Sequence, residues 1–102
     1  MANSLHFSPR AQIDLDETFD YINDVLKNPI AAKNTIARIL ESVDILKDFS
    51  DVGTKVFFDE NFTGYRFITY KNYLSFYRSE NTDIFIDRIL YSGRDYMHIF
   101  FG

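Results

Sequence analysis

The segment Ile84–Tyr91 reads IFIDRILY and is strongly apolar, with one arginine, Arg88, in its middle. Aliphatic and aromatic residues at this density predict a buried strand. We expect Arg88 to be partly buried and held in an ion pair, because an unpaired buried charge is costly. Asp87 points to the opposite face of the strand, so a different acid must be the partner. The residues expected on the same face as Arg88 are Ile84, Ile86 and Leu90.

A turn at Ser92-Gly93 follows this strand and leads into Arg94-Asp95-Tyr96 and an apolar tail, MHIFF, that contains His98. Arg94 and Asp95 fit a turn-stabilising pair as well as they fit a functional site. His98 could act as a general acid, since an ordinary histidine titrates near neutral pH. A solvated or structural histidine is the alternative for that position.

The first half of the chain predicts a helical hairpin. Ser8-Pro9 and Asn28-Pro29 each place a capping side chain before a proline, which is a typical helix start. The apolar stripes that follow predict one helix from Pro9 to about Leu26 and a second over about 30 to 48. The short break between them makes an αα-hairpin.

The remaining segments predict strands. Leu5–Phe7 precedes the helices, and Lys55–Phe58, Tyr65–Tyr70 and Tyr73–Arg78 follow them, ahead of the strand that contains Arg88. The predicted fold class is α+β, with the order β-α-α-β-β-β. The antiparallel meander after the helices has three strands, or four if the short segment Lys55–Phe58 also forms one. The whole chain, residues 1–102, is expected to form one domain.

A two-residue loop at Lys71-Asn72 fixes which residues oppose each other in the hairpin around it. Tyr70 then faces Tyr73. One side of the hairpin, expected to be the helix-covered core, carries Phe67, Leu74 and Phe76. The other side, expected to be open and to form a contact surface, carries Arg66, Ile68, Tyr70, Tyr73, Ser75 and Tyr77.

Composition excludes several classes of function. The net charge is −4, and residues 1–51 hold nine acidic and five basic side chains, so the chain is poorly suited to binding bare nucleic acid. Cysteine is absent and only two histidines occur, without metal-binding spacing, so no metal or other cofactor is expected. The N-terminus has no signal-peptide pattern and no apolar run could span a bilayer. We therefore expect a cytoplasmic protein with no membrane contact.

The arginines are the main candidates for chemistry, because a guanidinium can clamp a phosphate or a carboxylate. Arg66 and Arg94 are the candidates for such a role, with His98 beside them as a possible acid. Arg78 is expected to be a solvated turn residue.

The order of these motifs resembles the RelE/ParE family of toxins from type II toxin–antitoxin modules. The resemblance covers almost the whole chain, and the segments that carry it are moderately specific when taken together. The segments that carry it are Ser8-Pro9-Arg10-Ala11, Asp14-Leu15, Tyr21-Ile22, Asn28-Pro29-Ile30-Ala31-Ala32, Gly64-Tyr65-Arg66, Phe76-Tyr77-Arg78, and Arg88–Tyr91 with Asp95-Tyr96. It implies a small twisted antiparallel sheet packed on the N-terminal helical hairpin.

The family contains two activities, poisoning of DNA gyrase and ribosome-dependent cleavage of mRNA without a metal. The nuclease branch typically has an arginine where this chain has Leu74, and a catalytic tyrosine near Phe100. It also tends to have lysines on the preceding strand, where this chain has Arg66 and Ile68. Arg94 alone matches well. The resemblance therefore favours the ParE-like, gyrase-directed branch, and leans against an enzyme. A RelE-like mRNA endoribonuclease and an inactive interaction module of the same fold are the alternatives.

The resemblance also implies partners and a role in growth inhibition and plasmid stabilisation. A cognate antitoxin protein should neutralise the toxin, and DNA should be contacted only through that antitoxin. The expected target-binding residues are Arg94, Tyr96 and His98, and the expected antitoxin-binding residues are Leu15, Phe19, Tyr73 and Tyr77. The target is DNA gyrase, or in the alternative the ribosome with its mRNA.

Overall fold

The computed structural model of the protein describes residues 2–92. Five strands and a helical hairpin form the predicted α+β arrangement. The strands are β1 Ser4–Phe7, β2 Thr54–Phe58, β3 Asn61–Tyr70, β4 Tyr73–Glu80 and β5 Asp83–Tyr91. Within residues 2–92, no helix combines the length and the apolar character needed to cross a bilayer.

The helical hairpin begins where the sequence predicted. Helix α1, Pro9–Asp20, is capped by the Ser8 hydroxyl, which accepts the Ala11 N–H at 3.0 Å. Helix α2, Pro29–Val43, is capped by the Asn28 side chain, which accepts the Ala31 N–H at 3.0 Å. A π-helical turn, Tyr21–Val25, extends α1, and a 3₁₀ turn, Asp44–Lys47, extends α2. These extensions account for most of the length that the apolar stripes predicted.

The strands form one mixed sheet in the order β1-β5-β4-β3-β2. Strands β2 to β5 are antiparallel neighbours, as predicted from the turns between them. Strand β1 lies parallel to β5, because the chain leaves β1 into the helical hairpin and cannot return to its edge by a tight turn. The predicted hairpin register is confirmed, with Tyr70 opposite Tyr73 and Arg66 opposite Tyr77.

The prediction of which side of the hairpin meets the helices is wrong. Tyr77 is fully buried and packs with residues of the helical hairpin, such as Ile39 and Val43. Ile68, Tyr70 and Tyr73 pack against the same cluster. Phe76 and Leu74 form a second cluster on the other side of the sheet, with Val56 and Leu90. Alternation shows which residues share a side, but both sides here are apolar, so the pattern cannot say which one the helices cover.

A β-bulge in β5 also changes the predicted face of one residue. Phe76 opposes Arg88 while its neighbour Tyr77 opposes Ile86, so Asp87 is the extra residue. The isoleucines at 84, 86 and 89 pack on the helix side, and Leu90 packs on the far side with Phe76. The expectation that Leu90 shares a face with the isoleucines is therefore wrong, because the bulge shifts the alternation by one residue.

Candidate functional site

An open groove of about 570 Å³ lies between α1, the π-helical turn and the ends of β4 and β5. It is the place where polar and aromatic side chains from distant parts of the sequence converge. Its lining residues are Asp14, Glu17, Thr18, Tyr21, Leu26, Tyr73, Ile89 and Tyr91.

The π-helical turn shapes one wall of this groove. The Leu26 N–H donates to the Tyr21 carbonyl at 3.1 Å, a spacing of five residues. Residues five apart diverge around a regular α-helix, whereas the wider π turn brings them towards one side. Tyr21 and Leu26 consequently line the groove together, and both are more than half exposed.

The floor of the groove holds a buried ion pair. The Arg88 Nε donates to Asp14 Oδ2 at 2.9 Å, and its Nη2 donates to Oδ1 at 3.1 Å. The Ile89 backbone N–H also donates to Asp14 Oδ2, at 2.9 Å. The structure thus confirms that Arg88 is partly buried and paired with an acid other than Asp87. The hydrogen bonds orient the Asp14 carboxylate and occupy both its oxygens.

Three tyrosines surround the upper part of the groove. The rings of Tyr73 and Tyr91 meet edge to face with centroids 5.8 Å apart. Burial raises the pKa of the Tyr73 hydroxyl, and the proximity of Tyr91 and Tyr21 raises it further. Tyr73 therefore stays neutral at physiological pH and offers a hydroxyl and a ring face rather than a charge.

The arginines predicted to carry chemistry are tied into the fold where the structure describes them. Arg66 donates through Nη1 to the carbonyls of Asp51, at 3.1 Å, and Gly53, at 3.3 Å, and lies over the Phe62 ring. It supports the loop before β2. The expectation that Arg78 is a solvated turn residue is wrong.

Arg78 is only partly exposed and is held by two acids and a ring. Its Nε donates to Asp87 Oδ2 at 2.9 Å, its Nη1 donates to Glu80 at 3.1 Å, and its guanidinium lies 4.5 Å from the centre of the Phe85 ring. Cross-strand pairing with Phe85 and the bulge at Asp87 place these partners around it. The sequence alone could not show this, because Arg78 and Asp87 lie on different strands and their proximity depends on the register between β4 and β5.

The residues predicted to bind an antitoxin do not all lie in one place. Tyr73 lines the groove, Phe19 is exposed on α1, and Leu15 is partly buried against the helix-side cluster. Tyr77 has no exposed surface, and its hydroxyl donates to the Ser50 carbonyl at 2.7 Å. Tyr77 is therefore a core residue in this structure, and its prediction as a contact residue is corrected.

The predicted target-binding residues Arg94, Tyr96 and His98 lie outside the described residues. In residues 2–92, no group of three histidine, cysteine or acidic side chains is placed to hold a metal ion. Sequence reasoning missed Glu17, Tyr21, Leu26 and Tyr91 as lining residues. Tyr91 could have been predicted from the sequence, since it opposes Tyr73 across the sheet. Tyr21 could not have been predicted, because its position depends on the π turn.

Comparison with known proteins places this fold in a family. Residues 5–96 match the family described as ParE toxin of type II toxin-antitoxin system, parDE. Among curated proteins, none is similar enough in sequence to count as a relative. Two solved structures of similar fold, both of toxin–antitoxin systems, are compared below.

The chromosomal ParDE toxin–antitoxin system from P. aeruginosa contains a similar chain, with a TM-score of 0.74 and 26% identity, over 88% of this chain and 96% of that one. The toxin–antitoxin complex RelBE2 from Mycobacterium tuberculosis contains another, with a TM-score of 0.63 and 19% identity, over 89% of this chain and 99% of that one. The second likeness concerns the fold alone. With the family match across most of its length, the chain belongs to the ParE toxin family and is the toxin of a type II toxin–antitoxin system.

Proposed function

We propose that this toxin inhibits growth by acting on DNA gyrase and that a cognate antitoxin protein neutralises it. The choice of target rests on one observation, the pairing of the arginines with acidic side chains. Within residues 2–92, all five have a carboxylate partner within 4.0 Å, namely Arg10, Arg38, Arg66, Arg78 and Arg88. Each of these guanidiniums therefore has an acid beside it that would compete with a phosphate.

This arrangement disfavours the alternative, a ribosome-dependent mRNA endoribonuclease. Cleavage of RNA without a metal needs several cationic or acidic groups arranged around the reacting phosphate. The nuclease branch typically has an arginine at the position of Leu74. In this protein, Leu74 is a buried apolar residue beside Phe76. Ile68 packs against the helix-side cluster. In the described part of the chain, these two positions therefore carry apolar side chains that cannot stabilise a reacting phosphate.

An antitoxin partner is supported by apolar surface at the tip of the helical hairpin. Tyr21, Val25, Leu26 and Ile30 are each at least half exposed. Several exposed apolar side chains close together in sequence are typical of a protein interface. The ParDE and RelBE2 structures named above are toxin–antitoxin systems, which agrees with such a partner. Contact with DNA would then occur through the antitoxin.

The experiment that tests the target compares two assays on the same purified toxin. In a gyrase cleavage assay, we expect toxin-dependent accumulation of linear plasmid DNA, and in cells we expect a DNA-damage response. In a cell-free translation assay, we expect no cuts in ribosome-bound mRNA. Cuts at codon positions in that mRNA would assign the chain to the nuclease branch.

The antitoxin is tested separately, by co-expression with the product of the adjacent gene. We expect a complex that survives affinity purification and restores growth. Because the helical half carries nine acids and five bases, we expect an antitoxin tail that is less acidic than is usual in this family. A neighbouring product that neither binds nor rescues growth would overturn this part of the proposal.

A further inference from the structure

We propose that the groove beside α1 is a guanidinium cage that receives an arginine side chain from the bound antitoxin. This inference rests on the antitoxin partnership proposed above and adds the chemistry of one contact. The inference rests on the arrangement of three tyrosine rings and one accessible carboxylate around a single opening.

The aromatic part of the cage comes from three elements. Tyr21 extends from the π-helical turn, Tyr73 from the start of β4 and Tyr91 from the end of β5. Tyr21 and Tyr91 are about half exposed, so their rings are open to a ligand. Aromatic rings attract a cation through the negative potential of their faces, and a planar guanidinium also stacks on them.

The anionic part of the cage is Glu17. Its side chain is 59% exposed and lies one helical turn from Asp14 on the groove side of α1. Arg10 Nη2 lies 4.0 Å from its carboxylate, beyond hydrogen-bonding distance, so Glu17 retains the capacity to accept donors from a ligand. Asp14 cannot take this role, because Arg88 and the Ile89 N–H already occupy its oxygens.

The surrounding charge favours the same ligand. Asp20 and Asp24 add exposed negative charge along the same helical segment. An acidic surface attracts a cationic segment and repels an acidic one. An aliphatic side chain would fill the groove but leave the Glu17 carboxylate and the tyrosine hydroxyls without a partner. An arginine satisfies both the rings and the carboxylate.

The first test uses a probe independent of any antitoxin. The peptide acetyl-Leu-Arg-Leu-amide is titrated into the ¹⁵N-labelled toxin, beside the same peptide with citrulline, an uncharged urea of nearly the same shape. We expect the arginine peptide to shift the resonances of Tyr21, Tyr73 and Tyr91 and to bind at least about tenfold more tightly than the citrulline peptide. Equal binding of both peptides, or no shift at these tyrosines, would overturn the cage.

The second test uses the complex with the adjacent gene product. Glu17→Gln should weaken that complex about tenfold, whereas Asp16→Asn, an exposed acid on the same helix outside the groove lining, should leave it unchanged. If the complex forms and Glu17→Gln has no effect, the cage is wrong and the antitoxin partnership stands. If no complex forms at all, the proposed partnership is wrong, while the peptide titration still decides whether the groove selects a guanidinium.

Discussion

Asp14 on α1 and Arg88 on β5 are 74 residues apart in sequence and form a two-bond ion pair at the floor of the groove. Asp14 is 3% exposed and the Arg88 side chain is 15% exposed, so water screens the pair little. The pair joins the first helix to the last strand, beside the bulge in that strand. It therefore holds together the two elements from which most of the groove is built.

Replacing Arg88 by methionine should destabilise the fold strongly. The substitution leaves the Asp14 carboxylate buried with only the Ile89 N–H and Arg10 near it. Removing one member of a buried pair lowers the free energy of unfolding by roughly 3 kcal/mol or more. Urea denaturation measures this.

Arg38→Ala is the matched control for that substitution. Arg38 pairs with Glu41 on the surface of α2, where both side chains are more than half exposed. Its loss should change the free energy of unfolding by no more than about 0.5 kcal/mol. Equal effects of the two substitutions would show that the Asp14–Arg88 pair does not stabilise the fold.

Tyr77→Phe should destabilise the protein through two lost hydrogen bonds. The Tyr77 hydroxyl donates to the Ser50 carbonyl and accepts the Gly53 N–H at 3.0 Å. Removing it leaves a buried N–H without its partner, at a cost of about 1 to 3 kcal/mol. Gly53→Ala should be at least as harmful, because a Cβ there would lie 2.5 Å from the Tyr77 hydroxyl oxygen. Unchanged thermal midpoints for both variants would contradict this account of the loop.

Stability should fall in alkaline solution. Burial raises the pKa of Tyr65, Tyr73 and Tyr77 above the ordinary tyrosine value of 10.0. The unfolded chain then loses these protons at lower pH than the folded chain, so the free energy of unfolding is retained below pH 10.0 and decreases as the pH rises through the folded-state pKa values. Urea denaturation at a series of pH values measures the slope. Tyr77→Phe should make the decrease in the free energy of unfolding with pH shallower. An identical decrease in the variant would show that Tyr77 does not contribute to it.

Glu60→Gly should stabilise the β2–β3 turn. Asp59 and Glu60 form a two-residue loop between Phe58 and Asn61, and their φ angles are 54° and 68°. A side chain at such a φ is strained, and glycine is not, so we expect a gain of about 0.5 to 1 kcal/mol in the free energy of unfolding. Glu60→Ala removes the same charge but keeps the Cβ, and should give no gain. If both variants behave alike, charge rather than backbone strain governs the turn.

Arg94→Ala should abolish toxicity and leave the protein folded. The residue lies outside the described part of the chain, and the family resemblance assigns its segment to target contact. Because the sequence predicts a turn at this point, we expect the loss of the Arg94 side chain to change stability by about 0.5 kcal/mol or less. Growth after induction and the circular dichroism of the purified variant measure the two effects. Arg38→Ala is a better control than Arg78→Ala, because Arg78 is held by Asp87 and Phe85. If the Arg94→Ala variant remains fully toxic, Arg94 does not belong to the target-binding site.

The sequence by itself determined the elements and much of their pairing. Ser8-Pro9 and Asn28-Pro29 start the helices because capping and the fixed φ of proline are local properties. Tyr70 opposes Tyr73 because a two-residue loop leaves no other register. The need of Arg88 for an acid also followed from its apolar neighbours alone.

Only the tertiary structure decided which side of the sheet the helices cover, and therefore that Tyr77 is core. Both sides are apolar, so the choice depends on how the whole hairpin packs rather than on any alternation. The bulge at Asp87 separates Leu90 from the isoleucines, and the pairing of β4 with β5 brings Asp87 to Arg78. The groove exists because a π turn, a strand start and a strand end meet in space. Such meetings arise from contacts between residues far apart in sequence, which local patterns do not encode.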